Sequence, residues 1–72
     1  MNLQKTLKLI KALNRELDAL EREKNVYFNL LGEDIGVETE EFIIATLQEI
    51  NEDIVYLQKL QEEILNGNED NS

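Results

Sequence analysis

The chain has 72 residues, a formal net charge of −9 at pH 7, and no cysteine, histidine, proline or tryptophan. That length holds one small domain, with room for two long elements or three short ones, and a monomer of this size buries only about 60% of its unfolded surface. Neither a disulfide nor a Cys/His zinc site can staple it, which leaves oligomerisation; a Ser-His-Asp triad, a cysteine nucleophile and a histidine general base are excluded as well.

The first predicted element is a helix over residues 2–31. Glycine and proline are absent there, and Leu, Lys, Glu, Ala and Arg dominate, all good helix formers. Apolar residues recur at Leu3, Ile10, Leu13, Leu17, Leu20, Tyr27 and Leu31 in alternating steps of three and four. That is the heptad spacing of a coiled coil, with Ile10, Leu17, Lys24 and Leu31 at position a and Leu13, Leu20 and Tyr27 at d. Gly32 follows, where a helix end favours a residue that tolerates positive φ.

Residues 32–38, with two glycines and no periodicity, are expected to form a loop. Thr39 is the expected cap of a second helix over 39–65, and Glu40 and Glu41 would place negative charge at its N-terminus, where the helix dipole favours it. Ile43, Ile50, Leu57 and Ile64 occupy d in this helix, and Leu47, Ile54 and Gln61 occupy a. The hairpin is expected to fill residues 1–66. The polar, glycine-broken segment 67–72 is expected to be a disordered tail.

Two long amphipathic helices joined by a short loop must fold back on each other. The fold class is therefore all-α, an antiparallel helical hairpin. Taking the loop as a mirror puts Leu20 near Ile50, Leu13 near Leu57 and Leu31 near Thr39. Lys24 and Gln61 interrupt the apolar seam, and polar residues in such places fix register at some cost in stability.

The apolar surface is wider than this seam at both ends. Flanking e and g positions carry Leu7, Leu9, Phe28 and Leu30 in the first helix, and Ile44, Leu60 and Leu65 in the second. In the middle the same positions are polar, with Asn14, Glu16, Glu21 and Glu23 against Asn51, Asp53 and Gln58. Covering several large side chains at about 1.5–3 kcal/mol each turns a marginal hairpin into a stable assembly. The expected solution is a homodimer closed as a four-helix bundle, with those seven apolar residues as its interface. Phe42, Val55 and Tyr56 point elsewhere and form the expected face for a partner protein.

Charge is unevenly spread. Lys5, Lys8, Lys11 and Arg15 give residues 1–15 a local +4, whereas residues 16–72 set Arg22, Lys24 and Lys59 against all sixteen acids, a local −13. Lys8, Arg15 and Arg22 share the outermost position f and, with Lys5 and Lys11, make a basic stripe on the first helix. One reading is attraction between this stripe and Glu52, Asp53, Glu62 and Glu63 of the second helix, which favours the antiparallel pairing. A second is phosphate contact with nucleic acid. In architecture the chain resembles the plasmid copy-control RNA-binding proteins of the Rop family: short, acidic, two-helical, with a dimeric bundle and an acidic tail. That resemblance implies RNA binding by the dimer but carries no residue roles over. A third reading makes the acids themselves the active surface, as in inhibitors that mimic nucleic acid. The acids at 16, 18, 21, 23, 33, 34, 38, 40 and 41 gather toward the loop end and give it a negative field.

Leu47-Gln48-Glu49-Ile50-Asn51 resembles the Ser-Gln-Glu-Leu-Asp motif of the small aspartyl-phosphate phosphatases of sporulating bacteria. Gln48 and Glu49 match, Leu47 replaces the serine, and Asn51 replaces the terminal aspartate and lacks its charge. The resemblance implies a helical hairpin that dephosphorylates the aspartyl phosphate of a response regulator, with the missing carboxylate at Asn51 acting against the activity but not against binding. For metals, Glu49 and Asp53 stand at helical spacing, but the Glu-x-x-His pattern of di-iron bundles is absent and the tail lacks EF-hand spacing. No cofactor is expected.

The longest strictly apolar run, Phe42 to Ala45, is far short of the roughly 20 residues that cross a bilayer, and no signal-like core is present. The expectation is a cytoplasmic, non-enzymatic homo-oligomer that binds a partner protein.

Overall fold

A computed structural model describes residues 3–70 of the chain, with side chains as far as Asn66. Two helices, α1 (Leu3–Leu30) and α2 (Val37–Asp70), pack against each other as a hairpin. The molecule is a rod of 54 × 18 × 12 Å with a radius of gyration of 16.5 Å. A globule of this length has a radius nearer 11 Å. Of the tail expected at 67–72, residues 67–70 continue α2 in backbone only, and Asn71 and Ser72 lie outside the described residues.

The connection is tighter than the sequence suggests. The end of α1 closes on three short-span bonds, from the Leu31, Gly32 and Glu33 amides to the Phe28, Asn29 and Leu30 carbonyls. These i→i−3 contacts satisfy terminal carbonyls without a left-handed residue, so Gly32 does not take the positive φ expected of it. Gly36 takes it instead, at +87°. Its carbonyl accepts the first bond of α2, from the Glu40 amide, at 3.0 Å. Gly36 is therefore the cap, three residues ahead of Thr39, α2 starts at Val37, and Glu38 and Glu40 supply the negative charge of its first turn.

Burial follows the seam. Leu13, Leu20, Ile43, Ile50 and Ile54 are buried. Leu20, Ile50 and Ile54 form a central cluster against which Leu17, Tyr27 and Leu57 pack. Thr6 is buried as well, at the d position one heptad before Leu13, where a reading that follows only apolar residues passes over it. Leu3, read as the start of the seam, is 72% exposed. Opposite it α2 has already passed Leu65, its last apolar residue, so nothing greasy remains to cover it. Even Ile43, the most buried core residue, keeps 3% of its surface, and no described side chain is completely sequestered. Two helices close a stripe, not an interior.

Gln61 meets its need for a partner across the seam. Its amide nitrogen donates to the Asn14 carbonyl oxygen at 2.6 Å. The mirror rule sets Tyr56 opposite Asn14, so this contact spans more of the axis than a level pairing. The cause is the backward tilt of helical side chains. In an antiparallel pair the two side chains lean toward each other along the rod, and two long amides bridge the offset.

Candidate functional site

In an antiparallel pair the e positions of both helices fall on one side of the seam and the g positions on the other. The rod thus presents four surfaces: two flanks, the back of α1 and the back of α2. Each carries a different chemistry.

The back of α2 holds a shallow concavity of about 430 Å³, lined by Asn51, Glu52, Val55, Tyr56 and Lys59. Asn51, Val55 and Lys59 stand four residues apart in one row, and Glu52 and Tyr56 form the row beside it, so helical periodicity alone builds the wall. Val55 and Tyr56 are both at least half exposed and have no role in the seam. They are an apolar floor between an acid and a base. Of the three residues expected at a partner face, these two come together and Phe42 does not. Phe42 is exposed but lies about 21 Å along the axis from Tyr56. Its carbonyl accepts a 2.9 Å bond from the Thr46 hydroxyl, one turn on. The rim residues Asn51, Glu52 and Lys59 escape a search for apolar anchors, although their spacing from Val55 and Tyr56 carries the signal.

The back of α1 holds the basic stripe. Lys5, Lys8, Lys11, Arg15 and Arg22 are all exposed. Lys8, Lys11 and Arg15, with Ala12, line a second depression of about 350 Å³. Its lining is cationic where that of α2 is mixed and apolar. The acids at 33, 34, 38, 40 and 41 are exposed around the connection, at the other end of the rod from Lys5 and Lys8.

The flanks hold the seven residues expected at an oligomer interface. Leu7, Leu9, Phe28, Leu30, Ile44 and Leu65 are exposed, whereas Leu60 is half-buried within the hairpin itself. Within the phosphatase-like stretch, Ile50 is buried in the core and Leu47 half-buried in the seam, leaving Gln48, Glu49 and Asn51 exposed. Gln48 and Asn51 lie one turn apart on one side of α2, and Glu49 is turned away from Asn51. Among the described residues no group of three or more carboxylates gathers where a metal ion could sit. Among the same residues no helix is long and apolar enough to cross a membrane. Comparison with known proteins finds no matching family, no matching curated relative and no matching solved structure.

Proposed function

We propose that the chain is a non-enzymatic helical interaction protein that works as a homodimer, two hairpins closing as a four-helix bundle, and binds a partner protein through the back of α2. The observation that carries the partner site is the concavity around Val55 and Tyr56. An exposed tyrosine and valine there are flanked by Glu52 and Lys59 and serve no internal packing. Aromatic anchors ringed by polar groups are the usual hot spots of protein interfaces. A complementary partner inserts an apolar side chain and answers Lys59 and Glu52 with charges of opposite sign.

The test compares capture by the wild-type chain with capture by a Val55→Ser, Tyr56→Ala variant, both checked for helicity and mass. The reading expects a defined protein retained by the wild type and lost from the variant at unchanged oligomeric state. Identical capture by both overturns it.

A second reading rests on the cationic depression of α1. Lys8, Lys11 and Arg15 are exposed and close enough to line one concavity, a footprint suited to phosphates. A gel shift at low salt with structured RNA and with duplex DNA tests it. Retardation that disappears on Lys11→Glu, Arg15→Glu and in high salt supports it. No retardation of either nucleic acid rejects it.

A further inference from the structure

The two flanks of the rod differ, and the difference singles out one of them. On the e side, Leu7, Phe28, Ile44 and Leu65 are 51, 63, 42 and 58% exposed. The polar e positions between them, Asn14, Glu21, Asn51 and Gln58, are exposed too. On the g side the hairpin covers more of itself: Thr46 and Leu60 are half-buried, and Leu9 and Leu30 retain only 40 and 38%. The polar g positions Glu16, Glu23 and Asp53 are exposed as well, so the flanks differ in their apolar residues, which stay more open on the e side.

From this we infer that the e flank is the surface on which a second copy of this chain docks, while the g flank stays in water. The inference rests on the homodimer proposed above and specifies which face makes it. Three physical arguments converge.

The first is area. The chain exposes 5813 Å², whereas a compact monomer of 8.4 kDa exposes about 4,600 Å². The excess, about 1,200 Å², is more than the roughly 800 Å² that a standard interface removes from each partner.

The second is charge. The middle of the g flank is acidic, with Glu16, Glu23 and Asp53, so apposing two g flanks gathers six carboxylates in a chain that is already at −9. The middle of the e flank holds three amides and only Glu21. Apposing two e flanks gathers two carboxylates among six amides, which can hydrogen-bond them.

The third is symmetry. A two-fold axis can cross the e flank in two ways. With the loops at opposite ends, Leu7 meets the second copy's Phe28, Leu65 meets Ile44, and Glu21 meets Asn14. With the loops at the same end, Leu7 meets Leu65, Phe28 meets Ile44, and Glu21 meets Asn51. Both arrangements put apolar on apolar and Glu21 on an amide, never Glu21 on itself. Asn14 already accepts from Gln61 through its oxygen, which leaves its NH₂ group as the donor a carboxylate needs. Self-complementarity under a two-fold is the property an isologous interface requires.

The test is sedimentation equilibrium of the full chain across the micromolar range, with circular dichroism to follow helix content. Wild type is expected at twice 8.4 kDa. Phe28→Ser, Leu65→Ser on the e flank weakens association at least about a hundredfold, the scale set by removing two large apolar side chains from each copy. Leu9→Ser, Leu30→Ser on the g flank leaves it within a few-fold of wild type. Should the e-flank variant lose its helices, single spin labels on Gln58→Cys and Asp53→Cys decide, since the chain has no other cysteine. A short interchain distance at 58 and a long one at 53 supports the assignment. The reverse pattern of labels, or dissociation by the g-flank variant alone, overturns the face but leaves the dimer standing. A wild-type mass of 8.4 kDa at every concentration removes both the face and the dimer.

Discussion

The middle of the rod and its two ends are built from the same pair of helices, but they complete their burial differently. In the middle, Leu20, Ile50 and Ile54 cluster between flanks that are polar on both sides, so the seam ends where water begins. At the ends, Thr6 and Ile43 are buried but the outer seam residues Ile10, Leu31 and Ile64 are only half-buried. The flanks beside them carry exposed apolar side chains, among them Leu7, Phe28, Ile44 and Leu65. A two-helix layer dries one stripe about two residues wide. Where the sequence keeps its grease to that stripe the hairpin is finished, and where it does not, apolar surface is left for another layer.

The sharpest way to break this contrast is to truncate one side chain in each region. Ile50→Ala opens a hole in the central cluster and is expected to cost about 2–4 kcal/mol. Total stability for a chain of this length is about 4–11 kcal/mol, so the loss is severe. Phe28→Ala at the loop end removes a larger side chain that the hairpin leaves 63% exposed, and within one hairpin it is expected to cost under about 1 kcal/mol. Urea denaturation of dilute protein measures both. Equal losses refute the idea that the ends are unfinished.

The connection itself turns on backbone geometry, which gives the next largest effect. Gly36→Ala forces a Cβ onto a residue at φ +87° and is expected to destabilise the hairpin by about 1–2 kcal/mol. No atom lies within 4 Å of that added carbon, so the loss is conformational. A thermal melt unchanged by the substitution contradicts the assignment of Gly36 as the residue that turns the chain into α2.

These particulars also show what was readable beforehand. Leu13, Leu20, Ile43, Ile50 and Ile54 all sit at seam positions and all are buried, because period and polarity set which side of a helix faces its neighbour. Val55 and Tyr56 were recognisable as surplus to that stripe for the same reason. Phe42 shares their outward side but not their concavity, since periodicity reports angle around a helix and hides distance along it. The cap fell on Gly36 instead of Thr39 because two glycines and several acids offered competing ends, and the short-span bonds after Phe28 decided between them. The difference in exposure between the e and g flanks is not written in the heptad letters, which assign both the same role beside the seam.

Between the middle and the open end lies a polar bridge across the seam, from Gln61 to Asn14. Gln61→Leu removes its bond to Asn14, but both amides are near water and recover hydration, while leucine extends the apolar stripe between Leu57 and Ile64. The net change expected is a stabilisation of about 0.5–1 kcal/mol, because the gain from burying leucine exceeds a solvent-exposed hydrogen bond. A loss of stability in a denaturant titration shows instead that the bridge holds the register of the hairpin.

The smallest effect expected is at the other glycine of the connection, and its sign matters more than its size. Gly32 lies at negative φ, and a Cβ there meets only the Asn29 carbonyl at 3.4 Å, an ordinary contact. Alanine therefore fits the folded chain without strain, while the unfolded chain loses conformations that only glycine visits. Gly32→Ala is expected to raise stability by about 0.4–1 kcal/mol, opposite in sign to Gly36→Ala four residues on. Paired thermal melts of the two variants separate a residue that must be glycine from one that need not be. If both lower the midpoint, the connection opens with Gly32 in the left-handed region, and the loop end is held at two points instead of one.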